Sequence, residues 1–375
     1  MKVLLIAKTL TKGGSATGAR NLLIALQSAG MVVTALDAYE HHRNRKYVSF
    51  LRLIERIYER IVHNKSTHCM KLGASTFNLR DLYFQYKPDV IQLCDVSANT
   101  IHFGDIADVG CPIVHRLSDF WPYHGASHYA ESTPKQPSFS DFLLRHLIFD
   151  GNNKPDLLVA PSHWLADRLS SENVEVICNA VDIPPQNLNR CKPGGILRLG
   201  FISTDIFDER KGIQFLPPFL DAVHRDIELH VFGRLSRGKT LLNFSNISVV
   251  RHPPFSPNEL IQVYNSFDVL LCPSKSDNSP NVLTEAFSFG VPVVAQSGTG
   301  METYVNNYMG ALIDFQTPSD DNIKRFSAIL EKIISEYELF SNTARNFVQD
   351  KLSPHMIGSQ YKNLYLNLLR LVAVD

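Results

Sequence analysis

The chain has 375 residues, of which 44% are hydrophobic and 20% are charged, so it is long enough for two globular domains of ordinary size. Its 37 basic and 37 acidic residues give a formal net charge of zero, which argues against a nucleic-acid-binding protein because such proteins depend on an excess of basic side chains. The six cysteines form no C-x-x-C pair, and no signal peptide or long apolar run is recognisable, so we expect a cytoplasmic protein without a membrane-spanning helix.

The first half of the chain predicts a doubly wound α/β domain. Residues 3–7 form a continuous apolar run, typical of a parallel strand buried on both faces, and a glycine-containing loop and a helix at 16–29 follow. A second strand at 32–37 completes a βαβ unit. Four more strands are predicted after turn residues, at 89–93, 113–117, 157–160 and 174–177. We therefore assign residues 1–185 to a Rossmann-like N-terminal domain.

A second domain of the same kind is predicted after a linker at 184–195, where Pro, Asn and Gly replace the periodic pattern. Residues 186–353 alternate apolar runs with helical stretches, and we assign them to a second Rossmann-like domain. The predicted strands are 197–202, 228–232, 247–250, 269–272 and 291–295, and the predicted helices are 212–223 and 281–289. A final amphipathic helix is predicted at 354–371, with Tyr361, Leu364, Tyr365, Leu368 and Leu371 on its apolar side.

An additional amphipathic helix is predicted at 43–65, between the second and third strands. It carries seven basic residues against Glu55 and Glu59, which leaves a net charge of +5. Such a helix could lie peripherally on the anionic inner face of the plasma membrane, or hold an anionic acceptor. The alternative is a helix that buries its apolar stripe on the sheet and solvates its charges.

Two loops of the predicted domains carry candidate anion-binding residues. Gly13 and Gly14 precede a helix N-terminus that would suit a phosphate, although a tight structural turn explains the same residues. With Gly18 they have the wrong spacing for a dinucleotide fingerprint, which disfavours an NAD-dependent oxidoreductase. Arg210 and Lys211 follow the first strand of the second domain, at the edge where open α/β sheets bind ligands. These cations suit a diphosphate and the charge that develops as it leaves, but adjacent cations are also common on plain surfaces.

A third loop follows the strand at 269–272 and is rich in small polar residues. Asp277 lies in this loop, and Glu285 lies in the helix that opens near Asn281. Unpaired amides at the start of the helix suit an anion, and the carboxylate of Glu285 can accept hydrogen bonds from the two hydroxyls of a ribose. Solvated acids in an ordinary strand, loop and helix are the alternative.

These segments resemble a known family. The matching motifs are Asp277-x7-Glu285, Asp277-Asn-Ser-Pro-Asn281, Arg210-Lys-Gly212 and Leu117-Ser-Asp-Phe-Trp121 leading to His128-Tyr129. They are similar to retaining GT-B glycosyltransferases of family four, also called glycosyl transferases of group 1. Within that family they are most similar to the bacterial exopolysaccharide branch, which includes colanic-acid-type transferases. The resemblance extends from Lys2 to about Gly310.

The resemblance implies two Rossmann-like α/β domains facing across a cleft, with a UDP- or GDP-sugar donor held mainly by the second. The catalytic residues that it implies are Arg210, Lys211, Asp277 and Asp119. The donor-binding residues that it implies are Gly13, Gly14, Glu285 and the backbone of Asn281, Val282 and Leu283. It also implies transfer with retention to a glycan or lipid-linked oligosaccharide in bacterial surface polysaccharide synthesis, with no metal or cofactor. The terminal helix, 354–375, would pack back on the first domain.

The absence of an Asp-x-Asp pair from the sequence agrees with metal independence, because metal-dependent transferases need such carboxylates to hold the ion that binds the diphosphate.

Two positions depart from the family pattern. Ser118 stands beside Asp119 where the family usually has His, and Gly200-Phe201 stands where Gly-Arg is usual. These departures motivate a second hypothesis, a GT-B-fold pseudoenzyme or partner-binding module that binds a sugar nucleotide without turnover. His115 or His124 is a candidate to compensate for Ser118, although a lone His is more often a surface or packing residue.

Overall fold

A computed structural model describes most of the chain. The described residues are 1–11, 13–41, 75–97, 100–121, 123, 153–169, 173–184, 190, 193–235, 244 and 247–372. The predicted basic helix at 43–65 lies outside these ranges, as do His124 and His128. None of the helices within the ranges combines the length and the apolar character needed to cross a membrane.

The described ranges contain twelve strands and nine α-helices. The strands are β1 (Lys2–Ala7), β2 (Val32–Asp37), β3 (Val90–Leu93), β4 (Ile113–Arg116), β5 (Leu157–Ala160), β6 (Val174–Val176), β7 (Leu197–Asp205), β8 (Ile227–Arg234), β9 (Ser248–His252), β10 (Val269–Cys272), β11 (Val293–Gln296) and β12 (Gly310–Ile313). The α-helices are α1 (Gly14–Ser28), α2 (Leu79–Tyr86), α3 (His163–Ala166), α4 (Pro217–Leu220), α5 (Leu260–Asn265), α6 (Asn281–Ser288), α7 (Asp320–Ser335), α8 (Tyr337–Phe347) and α9 (Pro354–Val372). Short 3-10 turns cover Phe103–Asp108, Ile213–Phe215, Pro257–Glu259 and Gly300–Thr303, and a π-helical turn covers Val348–Leu352.

The chain divides into two compact units. Unit 1 comprises Met1–Ala180 and Pro354–Asp375, and unit 2 comprises Val181–Ser353. The chain therefore leaves unit 1 after Ala180 and returns to it for the last helix, α9.

Unit 1 is built on a parallel sheet with the strand order β2-β1-β3-β4-β5-β6. Strands β3, β4 and β5 are buried along their whole length, as continuous apolar runs predict for parallel strands covered on both faces. One face of the sheet packs against α1 and α9, and the other packs against α2 and the 3-10 turn at Phe103–Asp108.

Unit 2 is built on a second parallel sheet, with the order β12-β11-β10-β7-β8-β9. Counted within the unit from the β9 edge, the order is third, second, first, fourth, fifth and sixth, which is the Rossmann arrangement. Three phenylalanines form part of its core, with the ring of Phe219 edge-on to Phe315 at 5.0 Å and to Phe326 at 5.6 Å. The prediction of two Rossmann-like α/β domains is confirmed.

The terminal helix α9 packs on α1 within unit 1. Gly358 permits this close approach, because a Cβ at this position would overlap the carbonyl oxygen of Ala25. The hydroxyl of Tyr365 donates a hydrogen bond of 2.6 Å to Oε1 of Gln92 in β3. Leu371 departs from the prediction, because it is 67% exposed in the last turn of the helix rather than part of the packed side.

The continuous helix predicted at 212–223 is wrong. A 3-10 turn at Ile213–Phe215 is followed by the short helix α4, which begins at Pro217. Pro217 and Pro218 have no amide hydrogen, so they cannot extend a preceding helix, but they fit the first turn of a new one.

Candidate active site

The loops at the carboxyl ends of β7 and β10 meet at one point of unit 2. β7 is the first strand of the unit, and the order of the sheet reverses between it and the adjacent β10. Ligands of open α/β sheets bind at such a switch point, in the crevice outside the carboxyl ends of the strands. Arg210 and Lys211 lie in the loop after β7, and Asp277 lies in the loop after β10.

Gly212 brings the first loop close to the second. Its φ of +80° lies in the left-handed region, and a Cβ would overlap the carbonyl oxygen of Pro273, so only glycine fits without strain. The amide of Lys275 donates a hydrogen bond of 2.8 Å to the carbonyl oxygen of Arg210, which joins the two loops. Asp208 closes the turn by accepting a hydrogen bond of 3.0 Å from the amide of Arg210.

Asp277 forms ion pairs with both cations of the first loop. Its Oδ2 lies 2.6 Å from Nζ of Lys211 and 3.3 Å from Nη1 of Arg210. Burial by itself raises the pKa of the Asp277 carboxyl, but Lys211 and Arg210 lower that pKa below its usual range, so the group is ionised at neutral pH. Nη2 of Arg210 also lies 3.5 Å from Oδ2 of Asp208, so the cluster contains two cations and two carboxylates. The guanidinium and the ammonium supply hydrogen-bond donors that suit an anion such as a diphosphate.

Helix α6 begins at Asn281, directly after this loop. Its N-cap residue is Pro280, whose side chain cannot accept a hydrogen bond from the helix, and its first turn contains no acidic residue. The helix dipole therefore presents partial positive charge at the same edge of the sheet. The amide of Leu283 donates a hydrogen bond of 3.1 Å to the carbonyl oxygen of Pro280, so this predicted backbone donor has a partner within the chain.

Glu285 lies one turn further along α6 and is half-buried. Its Oε2 accepts a hydrogen bond of 2.8 Å from the hydroxyl of Tyr264, which belongs to α5. The sequence pattern identifies Glu285 but misses Tyr264, because the spacing within one segment carries no information on a partner 21 positions away.

A 3-10 turn after β11 supports the loop that carries Asp277. The amide of Gly300 donates a hydrogen bond of 2.9 Å to the carbonyl oxygen of Asp277. A Cβ at Gly300 would overlap the carbonyl oxygen of Asn278, so the two segments touch through their backbones. The hydroxyls of Tyr304 and Ser279 are 2.7 Å apart and share a hydrogen bond. Tyr304 is thus a second supporting residue that the sequence does not reveal.

Gly13, Gly14 and Asp119 belong to unit 1, whereas the other predicted site residues belong to unit 2. Gly13 is the N-cap of α1 with a φ of +97°, and Gly14 is the first residue of the helix. Asp119 follows β4, and its Oδ1 accepts a hydrogen bond of 3.0 Å from the amide of Trp121. The structure therefore gathers the predicted residues of unit 2 at one switch point and places these three in the other unit.

The two departures from the family pattern have different surroundings. Phe201 is buried in the middle of β7, which continues to Asp205, so it belongs to the core rather than to the site. Ser118 is half-buried and follows β4. His115 is buried with its Nδ1 3.1 Å from the hydroxyl of Tyr123, and burial lowers its pKa to about 4, so it is a neutral packing residue.

Cys272 ends β10 near the site and is a neutral thiol. Burial raises its pKa to about 12, and the nearby Lys211 only partly offsets this. In the part of the chain that the structure describes, no three His, Cys, Asp or Glu side chains are grouped so that they could hold a metal ion.

The fold defines the class of protein, because two Rossmann-like α/β units in one chain are the architecture of GT-B glycosyltransferases. Two family models match the chain, Glycosyltransferase Family 4 over residues 12–183 and Glycosyl transferases group 1 over residues 197–335. Together these matches include most of the chain. The chain belongs to this glycosyltransferase family.

Curated relatives match part of the chain. WcaC of Escherichia coli (strain K12), a candidate glycosyl transferase of colanic acid biosynthesis, is 26% identical over 227 residues, which are 56% of this chain and 52% of WcaC. CapM of Staphylococcus aureus, a capsular polysaccharide biosynthesis glycosyltransferase, is 25% identical over 129 residues, which are 33% of this chain and 32% of CapM. The chain thus spans about half the length of WcaC and about a third of the length of CapM.

Solved structures match nearly the whole chain. HepE of Anabaena, determined in complex with UDP and glucose, has a TM-score of 0.64 and 17% identity, over 98% of this chain and 100% of HepE. Sucrose-phosphate synthase of Thermosynechococcus elongatus has a TM-score of 0.66 and 15% identity, over 99% of this chain and 100% of that enzyme. At these identities the likeness shows a shared GT-B fold.

Proposed function

We propose that this chain is a cytoplasmic glycosyltransferase that moves a sugar from a nucleoside-diphosphate sugar to a glycan or lipid-linked oligosaccharide of bacterial surface polysaccharide synthesis. The descriptions of WcaC and CapM support this class of acceptor. A UDP-sugar is the first candidate donor, because HepE was solved with UDP, and a GDP-sugar is the second.

The observation that carries this proposal is the ion cluster of Arg210, Lys211 and Asp277 at the switch point of unit 2. A diphosphate gains negative charge as its bond to the sugar breaks, and two fixed cations stabilise that charge. Asp277 keeps two like charges close together before a ligand arrives, which reduces the cost of assembling the site on binding.

In the proposed reaction, the bond between the anomeric carbon and the diphosphate oxygen breaks while the oxygen of an acceptor hydroxyl bonds to the same face of that carbon, so the configuration is retained. The proton of the hydroxyl passes to the departing phosphate. Arg210 and Lys211 supply the positive charge that a metal ion supplies in other transferases, so we propose that no metal is needed. Glu285 would bind the ribose of the donor.

Ligand-induced stabilisation tests the donor site. A nucleotide at about 100 times its dissociation constant raises the free energy of unfolding by ~2.7 kcal/mol. We expect UDP or GDP, but not ADP, to raise the melting temperature of the wild type, and Glu285→Ala to lose that response. Lys275→Met is the matched control, because Lys275 lies in the same loop but points over the ring of Phe215, at 5.3 Å from its centroid.

The outcomes separate the main proposal from its rival. A folded wild type that responds to no nucleotide or nucleotide sugar would contradict a donor site. A wild type that binds a donor but shows neither transfer nor slow donor hydrolysis would favour the binding-module hypothesis, which Ser118 in place of the usual His motivates.

We also propose that residues 43–65, which lie outside the described residues, attach the protein peripherally to the inner face of the plasma membrane. Their net charge of +5 supports this. The protein should cosediment with anionic vesicles at low salt and not with neutral ones, since charged lipid attracts each basic residue only within a Debye length. Charge reversal of Arg52, Arg56 and Arg60 should abolish binding, and undiminished binding would contradict the proposal.

A further inference from the structure

Tyr264 is the buried residue behind Glu285. It lies in α5 and is fully buried, with its ring stacked on Phe289 at a centroid distance of 5.0 Å and edge-on to Phe267 at 5.7 Å. These contacts restrict the ring to one orientation, because a close-packed side chain cannot turn without displacing its neighbours. The core therefore determines where the hydroxyl of Tyr264 lies.

That hydroxyl donates a hydrogen bond to Glu285. It lies 2.8 Å from Oε2 of Glu285 and 3.2 Å from the carbonyl oxygen of Val282. Burial, and then the nearby carboxylate of Glu285, raise the pKa of Tyr264 well above its usual value, so the hydroxyl keeps its proton at neutral pH. An ionised carboxylate can only accept, so Tyr264 is the donor and Glu285 is the acceptor.

The hydrogen bond orders Glu285 before any ligand arrives. A mobile glutamate side chain loses conformational entropy when it is fixed. Because Tyr264 holds one carboxylate oxygen in the folded protein, part of that cost is met during folding rather than on binding. The carboxylate then faces a ligand in one orientation.

We propose that Tyr264 is a positioning residue whose hydroxyl orients the carboxylate of Glu285 toward the ribose hydroxyls of the donor nucleotide. This inference rests on the proposed function, in which Glu285 binds the ribose. Tyr264 is fully buried, so it acts through Glu285.

The direct test is Tyr264→Phe, which removes the hydroxyl and keeps the packed ring. Isothermal titration calorimetry should show about tenfold weaker binding of UDP, the scale expected for a hydrogen bond to a charged group. In a transfer assay, the KM for the donor should rise while kcat stays within about twofold of the wild type. If the nucleotide screen selects GDP, the same titrations are made with GDP.

Tyr337→Phe is the matched control for Tyr264→Phe. Tyr337 is also buried in unit 2, but its hydroxyl donates to the carbonyl oxygen of Asp268 at 2.9 Å and accepts from Nη1 of Arg190 at 3.2 Å, and both contacts lie outside the candidate site. We expect this variant to lose a similar amount of stability and to bind UDP as the wild type does.

A comparison of ribose and deoxyribose separates positioning from a general loss of structure. The wild type should bind UDP more tightly than 2′-deoxy-UDP, and this preference should shrink in Tyr264→Phe. In a Glu285→Ala background, Tyr264→Phe should have no further effect on UDP affinity, because the hydroxyl acts only through the carboxylate.

Two results would overturn the proposal: a folded Tyr264→Phe that binds UDP as tightly as the wild type, or one that weakens UDP binding by the same factor with and without Glu285. If the wild type binds neither UDP nor GDP, the proposed function fails and the positioning role falls with it. That pattern differs from the first two, in which the wild type binds nucleotide.

Discussion

Units 1 and 2 both place a lysine and an aspartate at the switch point of their sheets. In unit 1 the switch lies between β1 and β3, where Nζ of Lys8 is 3.8 Å from Oδ2 of Asp95. In unit 2 it lies between β7 and β10, where Nζ of Lys211 is 2.6 Å from Oδ2 of Asp277. The two folds bring the same residue types together, because the carboxyl ends of neighbouring parallel strands lie at one edge of a sheet.

The partners of the two aspartates differ. Asp95 accepts hydrogen bonds from the hydroxyls of Ser15 at 2.9 Å and Ser97 at 2.6 Å, and Lys8 balances its charge. Asp277 instead pairs with two cations, and one of them, Arg210, also pairs with Asp208 at 3.5 Å. A lysine and an aspartate at a switch point thus join two loops in unit 1 and form part of a candidate anion site in unit 2. The difference between the two sites is the second cation, Arg210.

Removal of each lysine is the strongest test of this comparison. Lys211→Met should weaken UDP binding about a thousandfold, because it removes a cation from the diphosphate and leaves the buried Asp277 poorly compensated. Lys8→Met should change UDP affinity by less than about threefold, since an ion pair near the surface contributes little. Calorimetric titration measures both affinities, and equal losses would show that the cation cluster of unit 2 does not distinguish the two sites.

The pH dependence of stability should also differ between the units. Burial lowers the pKa of His115 in unit 1 to about 4, while Asp95 and Arg116 act in opposite directions. Between the ordinary histidine pKa of about 6.5 and this value, the unfolded chain binds more protons, so unit 1 should lose about 3 kcal/mol of unfolding free energy as the pH falls. Both tryptophans of the chain, Trp121 and Trp164, lie in unit 1, so tryptophan fluorescence during urea denaturation at pH 7 and pH 4 measures this loss.

His115→Gln should remove most of this pH dependence. Because folding lowers the pKa of Asp277, its ion pairs contribute fully to the unfolding free energy above the unfolded aspartate pKa of about 4. This contribution is lost only as the pH falls through the pKa of Asp277 in the folded protein. The cluster in unit 2 should therefore stay intact across the window in which unit 1 weakens. A pH dependence that persists in His115→Gln would assign the effect to other groups.

Two glycines with positive φ, one in each unit, extend the comparison of the two units to the backbone of their loops. Gly212 in unit 2 has a φ of +80° and Gly13 in unit 1 has a φ of +97°. A Cβ at Gly212 would overlap the carbonyl oxygen of Pro273, whereas a Cβ at Gly13 would meet nothing within 4 Å. We expect Gly212→Ala to cost about 3 kcal/mol or more and to weaken UDP binding, because it adds an overlap to the backbone strain, and Gly13→Ala to cost only its strain, about 1–2 kcal/mol. Thermal unfolding monitored by circular dichroism measures the loss of stability in each variant. Equal losses would mean that the Gly212 loop shifts to admit a side chain.

The smallest expected effect concerns the terminal helix. Tyr365→Phe removes the hydrogen bond to Gln92 and should lower the unfolding free energy of unit 1 by about 1 kcal/mol, as measured by tryptophan fluorescence. UDP affinity should not change. A weaker affinity would show that α9 influences the site in unit 2.

The local sequence was sufficient to predict most of the strands in the two sheets. Strands β2, β5 and β10 begin and end at the predicted residues, Val32–Asp37, Leu157–Ala160 and Val269–Cys272. A strand that is buried on both faces must be apolar at nearly every position, so β5 and β10 stand out from their neighbours in the chain. Strand β12 was not predicted from the sequence. It lies at the edge of its sheet, where Ala311 and Leu312 are half-buried.

The motif Asp277-x7-Glu285 likewise identified one loop and helix of the site, because both acids belong to a single segment. Only the tertiary structure decided their partners, since Lys211 lies 66 positions from Asp277, and Tyr264 lies 21 positions from Glu285. The spacing of residues along a segment reports which face of that segment is buried. Which side chain from another segment reaches that face depends on the order of the strands and the packing of the helices, which local spacing does not encode.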